Sequence, residues 1–364
     1  MDQDAGCDNG NHLRESPVNS SRIIWVVLLS ACGAVLVWTI WGRQAATPIA
    51  KAKRAAVEST PVFKETTGSA ALPFRHWCGD SGKYFFPEIM GSGVALFDYD
   101  RDGDLDIFAV QGMPPAATKV KPLANSGFSP TSRLFQQTSP GHFEDVTAAA
   151  GLEDHAPYGM GAAVGDVNND GWPDLYVSKY GSDRLFLNRA GKFEDITKAA
   201  GIDNPRWGTS ACFFDYDRDG WLDLFVANYV DYYSSRHFFL ANGQEEFANP
   251  NLFEPVPAKL FRNLSGETNN HEPRFRDVSF ETGIDAKAGP GLGVLPADFN
   301  GDGWIDLYVA NDSRANFLWY NRGGKHFEDE AVQVGAAYDA GGGPQASMGV
   351  AAGDVDGDGR QDIF

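Results

Sequence analysis

Five nine-residue segments concentrate oxygen ligands at fixed spacing: DYDRDGDLD from Asp98, DVNNDGWPD from Asp166, DYDRDGWLD from Asp215, DFNGDGWID from Asp298 and DVDGDGRQD from Asp354. Each has Asp or Asn at positions 1, 3, 5 and 9 and Gly at position 6. The candidate ligands are Asp98, Asp100, Asp102 and Asp106; Asp166, Asn168, Asp170 and Asp174; Asp215, Asp217, Asp219 and Asp223; Asp298, Asn300, Asp302 and Asp306; and Asp354, Asp356, Asp358 and Asp362. Hard oxygens on a short loop, with a glycine permitting a sharp turn, suit Ca²⁺, which takes six to eight oxygens in a flexible arrangement. Mg²⁺ fits less well, because it demands a stricter octahedron and keeps its waters. Position 7 varies (Asp104, Trp172, Trp221, Trp304, Arg360), as a site using only its backbone carbonyl would permit. An EF-hand is excluded: position 12, where the bidentate Glu belongs, is Ala109, Val177, Val226 or Val309, and the flanks have no helical period.

Stepping outward from the loops, each is preceded by Gly and small apolar residues (GSGVALF, GMGAAVG, GTSACFF, GLGVLPA, MGVAAG) and followed by an apolar run (IFAV, LYVS, LFVA, LYVA, IF). A second block recurs further along: RLFQQTSPGHFEDVTAAAGL from Arg133, RLFLNRAGKFEDITKAAGI from Arg184, KLFRN with RFRDVSFETGI between Lys259 and Ile284, and NFLWYNRGGKHFEDEAVQVGA from Asn316. Loop starts lie 68, 49, 83 and 56 residues apart. One unit is therefore strand, acidic loop, strand, connection, a third strand ending at Asn, a Gly turn and a fourth strand, which is the size of a β-propeller blade. The fold expected is all-β, a propeller of four-stranded blades, with the strands after the loops covered on both faces. Spacing varies in the connections, notably from Tyr232 to Ala258. Phe63-Lys-Glu-Thr-Thr-Gly resembles the fourth-strand block and could close the array from the N-terminus, a device that removes exposed sheet edges. The fifth unit stops at Phe364, so the sequence reads as a truncated piece of a longer, seven-bladed protein; a five-bladed closure is the alternative.

These motifs carry a resemblance. GVALFDYDRDGDLDIFAVQG, YGMGAAVGDVNNDGWPDLYVSKYG and FFDYDRDGWLDLFVANYVD resemble FG-GAP/VCBS-type repeats, the Ca²⁺-binding propeller repeats also found in integrin α-chain heads. Together with F-E-D-[VI]-T-x-x-A-G-[LI], YFFPEIMGSGVALFDYD and VANDSRANFLWYN, they are similar to the ASPIC/UnbV (cartilage acidic protein 1-like) family, which has many bacterial members. The similarity covers about residues 61–364. It implies a propeller with Ca²⁺ in its loops, placement outside the cytoplasm, a C-terminal domain beyond this sequence and no established catalytic role.

The remaining chain divides into a polar tail (1–22), an uncharged stretch IIWVVLLSACGAVLVWTIWG (23–42), a linker (43–60) and the propeller (61–364). Twenty apolar residues span roughly 30 Å as a helix, matching a bilayer core. Trp25, Trp38 and Trp41 lie near the ends, as an aromatic belt would. A single uncleaved anchor is expected, with the C-terminal domain extracytoplasmic, although flanking Arg and Lys counts weakly favour the opposite orientation. Cys7, Cys32, Cys78 and Cys212 form no C-x-x-C pair, which excludes zinc and thioredoxin-type sites. Cys78 and Cys212 are either a disulfide or two isolated thiols.

The seven histidines fall into no metal-ligand spacing, and no nucleophile elbow, P-loop or dinucleotide fingerprint occurs. His142 and His326, just before F-E-D, read as strand-edge residues. The tryptophans at position 7 read as covers for the loops or packing between blades, with a sugar-binding surface as the alternative. The net charge of −19 excludes nucleic-acid binding through a basic surface. Eighteen of the twenty residues at loop positions 1, 3, 5 and 9 are Asp, so most of that excess sits in the loops. The function expected is a membrane-anchored, calcium-binding scaffold for a protein or polysaccharide, not an enzyme; a polysaccharide lyase or hydrolase on a Ca²⁺-stabilised propeller is the alternative.

Overall fold

The computed structural model describes residues 72–79, 82–112, 131–154, 158–233, 238–268 and 272–364, all within the compact unit Lys64–Phe364. The expected span 23–42 and the closing strand at Phe63 lie outside the described residues. Among the described residues no helix is long and apolar enough to cross a membrane.

Four antiparallel four-stranded sheets follow one another in sequence. The first is β1 (Val94–Phe97), β2 (Asp106–Ala109), β3 (Arg133–Ser139) and β4 (His142–Asp145). The second is β5 (Gly159–Gly165), β6 (Asp174–Lys179), β7 (Arg184–Asn188) and β8 (Phe193–Asp195). The third has β9 (Gly208–Phe214) and β10 (Asp223–Asn228), then a small hairpin, β11 (Phe238–Phe239) with β12 (Glu245–Glu246), before β13 (Lys259–Asn263) and β14 (Phe275–Asp277). The fourth is β15 (Gly291–Ala297), β16 (Asp306–Asn311), β17 (Phe317–Asn321) and β18 (Phe327–Asp329), and β19 (Ala352–Gly353) with β20 (Asp362–Ile363) begins a fifth. These are propeller-type blades in the strand order that the repeats predict, and the insertion falls where the spacing is longest.

The second strand of each blade is the core. Every residue of β6, β10 and β16 is buried, and alternate side chains enter different interfaces, as a strand's two-residue period requires. Leu175 and Val177 join Phe97, Phe108 and Leu134 of the first blade, whereas Tyr176 joins Leu224, Val226 and Phe261 of the third. Phe225 in turn meets Leu307, Val309 and Trp319 of the fourth. The first strands β1, β5, β9 and β15 lie side by side. They approach closely because their residues are small: a Cβ on Gly161 would stand 2.6 Å from the Thr209 carbonyl oxygen.

After the fourth strand of each of the first three blades the F-[ER]-D-x-[TS] block makes one helical turn, Thr147–Ala150, Thr197–Ala200 or Ser279–Thr282, ended by a left-handed Gly151, Gly201 or Gly283. The hydroxyl at its start ties the turn to the third strand, accepting the Leu134, Leu185 or Leu260 N–H at 2.9–3.0 Å. In the fourth blade Ala331 stands there instead, and Asp329 Oδ1 accepts the Leu318 N–H at 3.0 Å.

The other end of the blades, where the first strands begin, carries an aromatic cluster. The 3₁₀ turn Phe86–Ile89 drives Phe85 and Phe86 among Tyr158, Trp207, Tyr229, Tyr232 and Phe253. Phe86 meets Trp207 edge-on at 5.5 Å and its N–H donates to the Tyr232 hydroxyl. Cys78 and Cys212 are both free thiols, with Cys212 buried in the interface between the third and fourth blades.

Candidate metal centres

Each acidic loop joins the end of a first strand to the start of a second, and a single hydrogen-bond pattern shapes all five. The position-1 carboxylate accepts the N–H groups of positions 5 and 6 at 2.7–3.1 Å. Position 5 accepts the N–H of position 7 at 2.8–3.0 Å. Glycine at position 6 has φ of 88–94°, the left-handed region closed to most side chains. Position 4 is left-handed too, at Arg101, Asn169 and Arg218 as well as Gly301 and Gly357.

The position-9 carboxylates Asp106, Asp174, Asp223 and Asp306 are fully buried. Oδ2 accepts the N–H of loop position 2 at 2.9–3.1 Å. Oδ1 accepts an N–H of the third strand, from Gln137, Asn188, Asn263 or Asn321, at 2.7–2.8 Å. One buried carboxylate thus sets both the curvature of the loop and the depth of the third strand. Burial pushes the pKa of Asp106 and Asp306 up to about 6, Asp174 to about 7 and Asp223 to about 8; the N–H donors pull down, and neighbouring loop carboxylates push up. Such a cluster favours any cation that restores the ionised form.

Carboxylate oxygens of positions 1, 3 and 9 converge in three loops: Asp98, Asp100 and Asp106; Asp215, Asp217 and Asp223; Asp354, Asp356 and Asp362, all within 4.8 Å of one another in each group. In the second and fourth loops position 3 is an amide, and Asn168 and Asn300 donate to Asp170 and Asp302 at 2.9 and 3.0 Å. Asp100 Oδ1 and Asp217 Oδ1 are buried without a hydrogen-bond partner. A buried carboxylate oxygen without a donor is costly, and in the first loop the hard oxygens converging on it fit Ca²⁺.

Three structural features of the loops were not legible as sites in the sequence. Asparagine at the end of the third strand reaches back one blade: Asn188 Nδ2 donates to the Tyr99 carbonyl, Asn263 to Val167 and Asn321 to Tyr216, each at 2.8 Å and each at position 2 of the preceding loop. Position 4 reaches forward one blade. The Arg101 guanidinium lies 5.3 Å from the Trp172 ring centroid, Asn169 donates to the Gly220 carbonyl at 3.0 Å, and Arg218 lies 4.4 Å from Trp304. Tryptophans 172 and 304 therefore serve as inter-blade packing, one of the roles expected at position 7. Finally, Arg262 of β13 inserts among the carboxylates of the third loop, 2.6 Å from Asp217 Oδ2 and 2.9 Å from Asp219 Oδ2. The sequence signal for the asparagine was present, as a repeated strand-terminal residue; its partner was not.

Of the histidines, His142 begins β4 and the exposed His326 pairs with Glu328 at 3.2 Å. His76 meets Ser92 Oγ at 3.1 Å, but the Ser92 hydroxyl donates to the Gly159 carbonyl at 2.8 Å, so it accepts from the imidazole and is not activated by it.

Blades of four antiparallel strands, each with a D-x-[DN]-x-D-G-x-x-D loop after its first strand, define an FG-GAP-repeat protein. A model of the FG-GAP-like repeat matches residues 123–177, 166–226 and 298–364. Cartilage acidic protein 1 of Xenopus tropicalis is 25% identical over 299 residues, covering 76% of this chain and 40% of that protein. The human protein is 26% identical over 328 residues (83% and 42%), and the mouse protein 26% over 208 (55% and 28%). The chain thus carries FG-GAP-like repeats and is similar to cartilage acidic protein 1, and it spans less than half the length of these curated relatives. A solved lectin of Agrocybe aegerita, described as recognising non-reducing terminal N-acetylglucosamine, is 14% identical over 70% of this chain and 69% of its own, with a TM-score of 0.30. At that score the likeness informs neither fold nor ligand.

Proposed function

We propose that residues 61–364 form a calcium-stabilised binding scaffold, held outside the cytoplasm by a membrane anchor at 23–42 that follows the tail 1–22 and precedes the linker 43–60. The orphaned Asp100 Oδ1 carries the calcium reading: it is buried beside converging oxygens of Asp98 and Asp106 and has no donor. The same positions would hold Ca²⁺ at Asp166, Asn168, Asp170 and Asp174, at Asp298, Asn300, Asp302 and Asp306, and at Asp354, Asp356, Asp358 and Asp362, with Asp102 completing the first loop. Bound Ca²⁺ supplies charge neutralisation and a fixed anchor for the loop oxygens. The chain's own residues do the rest: position 9 links loop to third strand, and positions 4 and the strand-terminal Asn link loop to loop.

A scaffold needs a surface, and the insertion in the third blade offers one. Tyr233, Phe239, Leu240 and Leu252 are exposed there, beside the aromatic cluster and away from the acidic loops. A protein partner fits this mixed aromatic and aliphatic surface best; a polysaccharide is the other ligand class. Titrating the metal-free full chain with Ca²⁺ by calorimetry tests the metal reading, with saturable binding expected and its absence overturning it. Incubation with a glycan panel tests the scaffold reading, which turnover would sink if substitutions outside the metal loops abolished it.

A further inference from the structure

The five loops are not equivalent, because one of them already contains a cation. Arg262 stands one residue before the strand-terminal Asn263 of β13. The residues at the same place in the other blades are Gln136, Leu187 and Tyr320. Only in the third blade is that residue charged. Its guanidinium forks across the loop, with Nε on Asp217 Oδ2 at 2.6 Å, Nη2 on Asp219 Oδ2 at 2.9 Å and Nη1 on Glu267 Oε1 at 2.8 Å. Gln136 makes only one such contact, a neutral one, from Nε2 to Asp100 Oδ2 at 2.5 Å.

Positions 3 and 5 are two of the four side chains a divalent ion would use in the third loop, and the guanidinium engages both. A planar fork matches paired carboxylate oxygens and keeps its charge at any relevant pH. A second cation among the same oxygens would either evict Arg262 from Asp217 and Asp219 or sit against a fixed positive charge at short range. We propose that Arg262 replaces the metal in the third loop, which therefore stays closed without Ca²⁺ while its neighbours depend on it. The inference rests on the calcium reading of the other loops. It gives the row of loops a metal-independent centre, to which the second loop is tied through Asn169 and Gly220 and the fourth through Arg218 and Trp304.

The test counts Ca²⁺ bound per full-length chain by equilibrium dialysis. Asp98→Ala is expected to lower the count by one, whereas Asp215→Ala, with Arg262 in place, leaves it unchanged. Arg262→Gln is expected to raise the wild-type count by one, and Arg262→Lys to leave it as it was. A count that falls by one in Asp215→Ala, or that does not rise in a folded Arg262→Gln protein, overturns the proposal. If the wild type binds no Ca²⁺ and Asp98→Ala changes nothing, the calcium reading of the other loops fails; a gain of one ion in Arg262→Gln would still uphold the role of Arg262. Should Arg262→Gln fail to fold, the Asp215→Ala count decides.

Discussion

The first and third loops, DYDRDGDLD and DYDRDGWLD, differ at one residue in nine, yet they end in different electrostatic states. Both converge three carboxylates, and both leave an oxygen of position 3 buried without a donor. The first loop faces the neutral Gln136; the third faces Arg262. Nothing inside the nonapeptide sets this difference. It is set by a residue of the third strand, 36 positions away in one blade and 45 in the other. A loop motif thus specifies where oxygens go, while the strand packed behind it specifies which cation they meet.

Removing calcium should separate the two loops most strongly. Each occupied site adds about 2–3 kcal/mol at a hundredfold excess over Kd, so melting in EGTA should fall well below melting in millimolar Ca²⁺. Amide exchange should then rise at Asp102 and Gly103 and stay slow at Asp219 and Gly220; equal exchange at both loops would erase the distinction. Transplanting the difference is the next test. Gln136→Arg should close the first loop in the manner of the third, lower the Ca²⁺ count by one and shrink the EGTA effect by one site's worth.

The links shared by both loops should matter less than the metal and act equally on each. Asn188→Ala strips the Tyr99 carbonyl beside the first loop of its donor, and Asn321→Ala does the same to Tyr216 in the third. Each should cost about 1–3 kcal/mol in denaturant unfolding, the usual penalty for a buried group left unpaired. The forward links are weaker: Arg101→Ala and Arg218→Ala should each cost about 0.5–1 kcal/mol, with Arg218 the larger because its ring lies nearer. A reversed order would show that stacking distance does not govern them.

A second like-for-like pair tests charge within the core. Asp183 in the second blade and Asn316 in the fourth do the same work, accepting the N–H of Lys179 and of Asn311 at 2.7 and 2.8 Å. Burial pushes the Asp183 pKa up to about 7, against the pull of Tyr176, Asn204 and the Lys179 N–H. The folded protein therefore keeps this proton to about pH 7, while the unfolded chain gives it up near pH ~4. Asp183 thus favours folding at acid pH and costs stability as pH rises between those values. Asp183→Asn should flatten that part of the stability profile, and an unchanged slope would assign it to other groups.

Much of the fold was legible because it is written at short range. Continuous apolar runs after each loop, with little alternation, announced strands buried on both faces, and β6, β10 and β16 are buried throughout. The Gly turns and F-E-D blocks fixed the blade order, and the long gap after Val230 marked the insertion. The aromatic cluster was not legible: Phe85 and Phe86 sit in a segment with no repeat, and Tyr232 and Phe253 come from the insertion. Nor was the thiol pairing, since only tertiary placement could show that Cys78 and Cys212 stay apart.

By itself the sequence determined five oxygen-rich loops, their place between paired strands and the repeat type they resemble, because each follows from spacing within one repeat unit. Tertiary structure decided what the loops touch. Asn188, Asn263 and Asn321 bind carbonyls 89, 96 and 105 residues away, and Arg262 closes a loop whose nine residues give no hint of it. Contacts of that range depend on how one blade is laid against the next, and no local pattern of residue types encodes which side chain will face which oxygen.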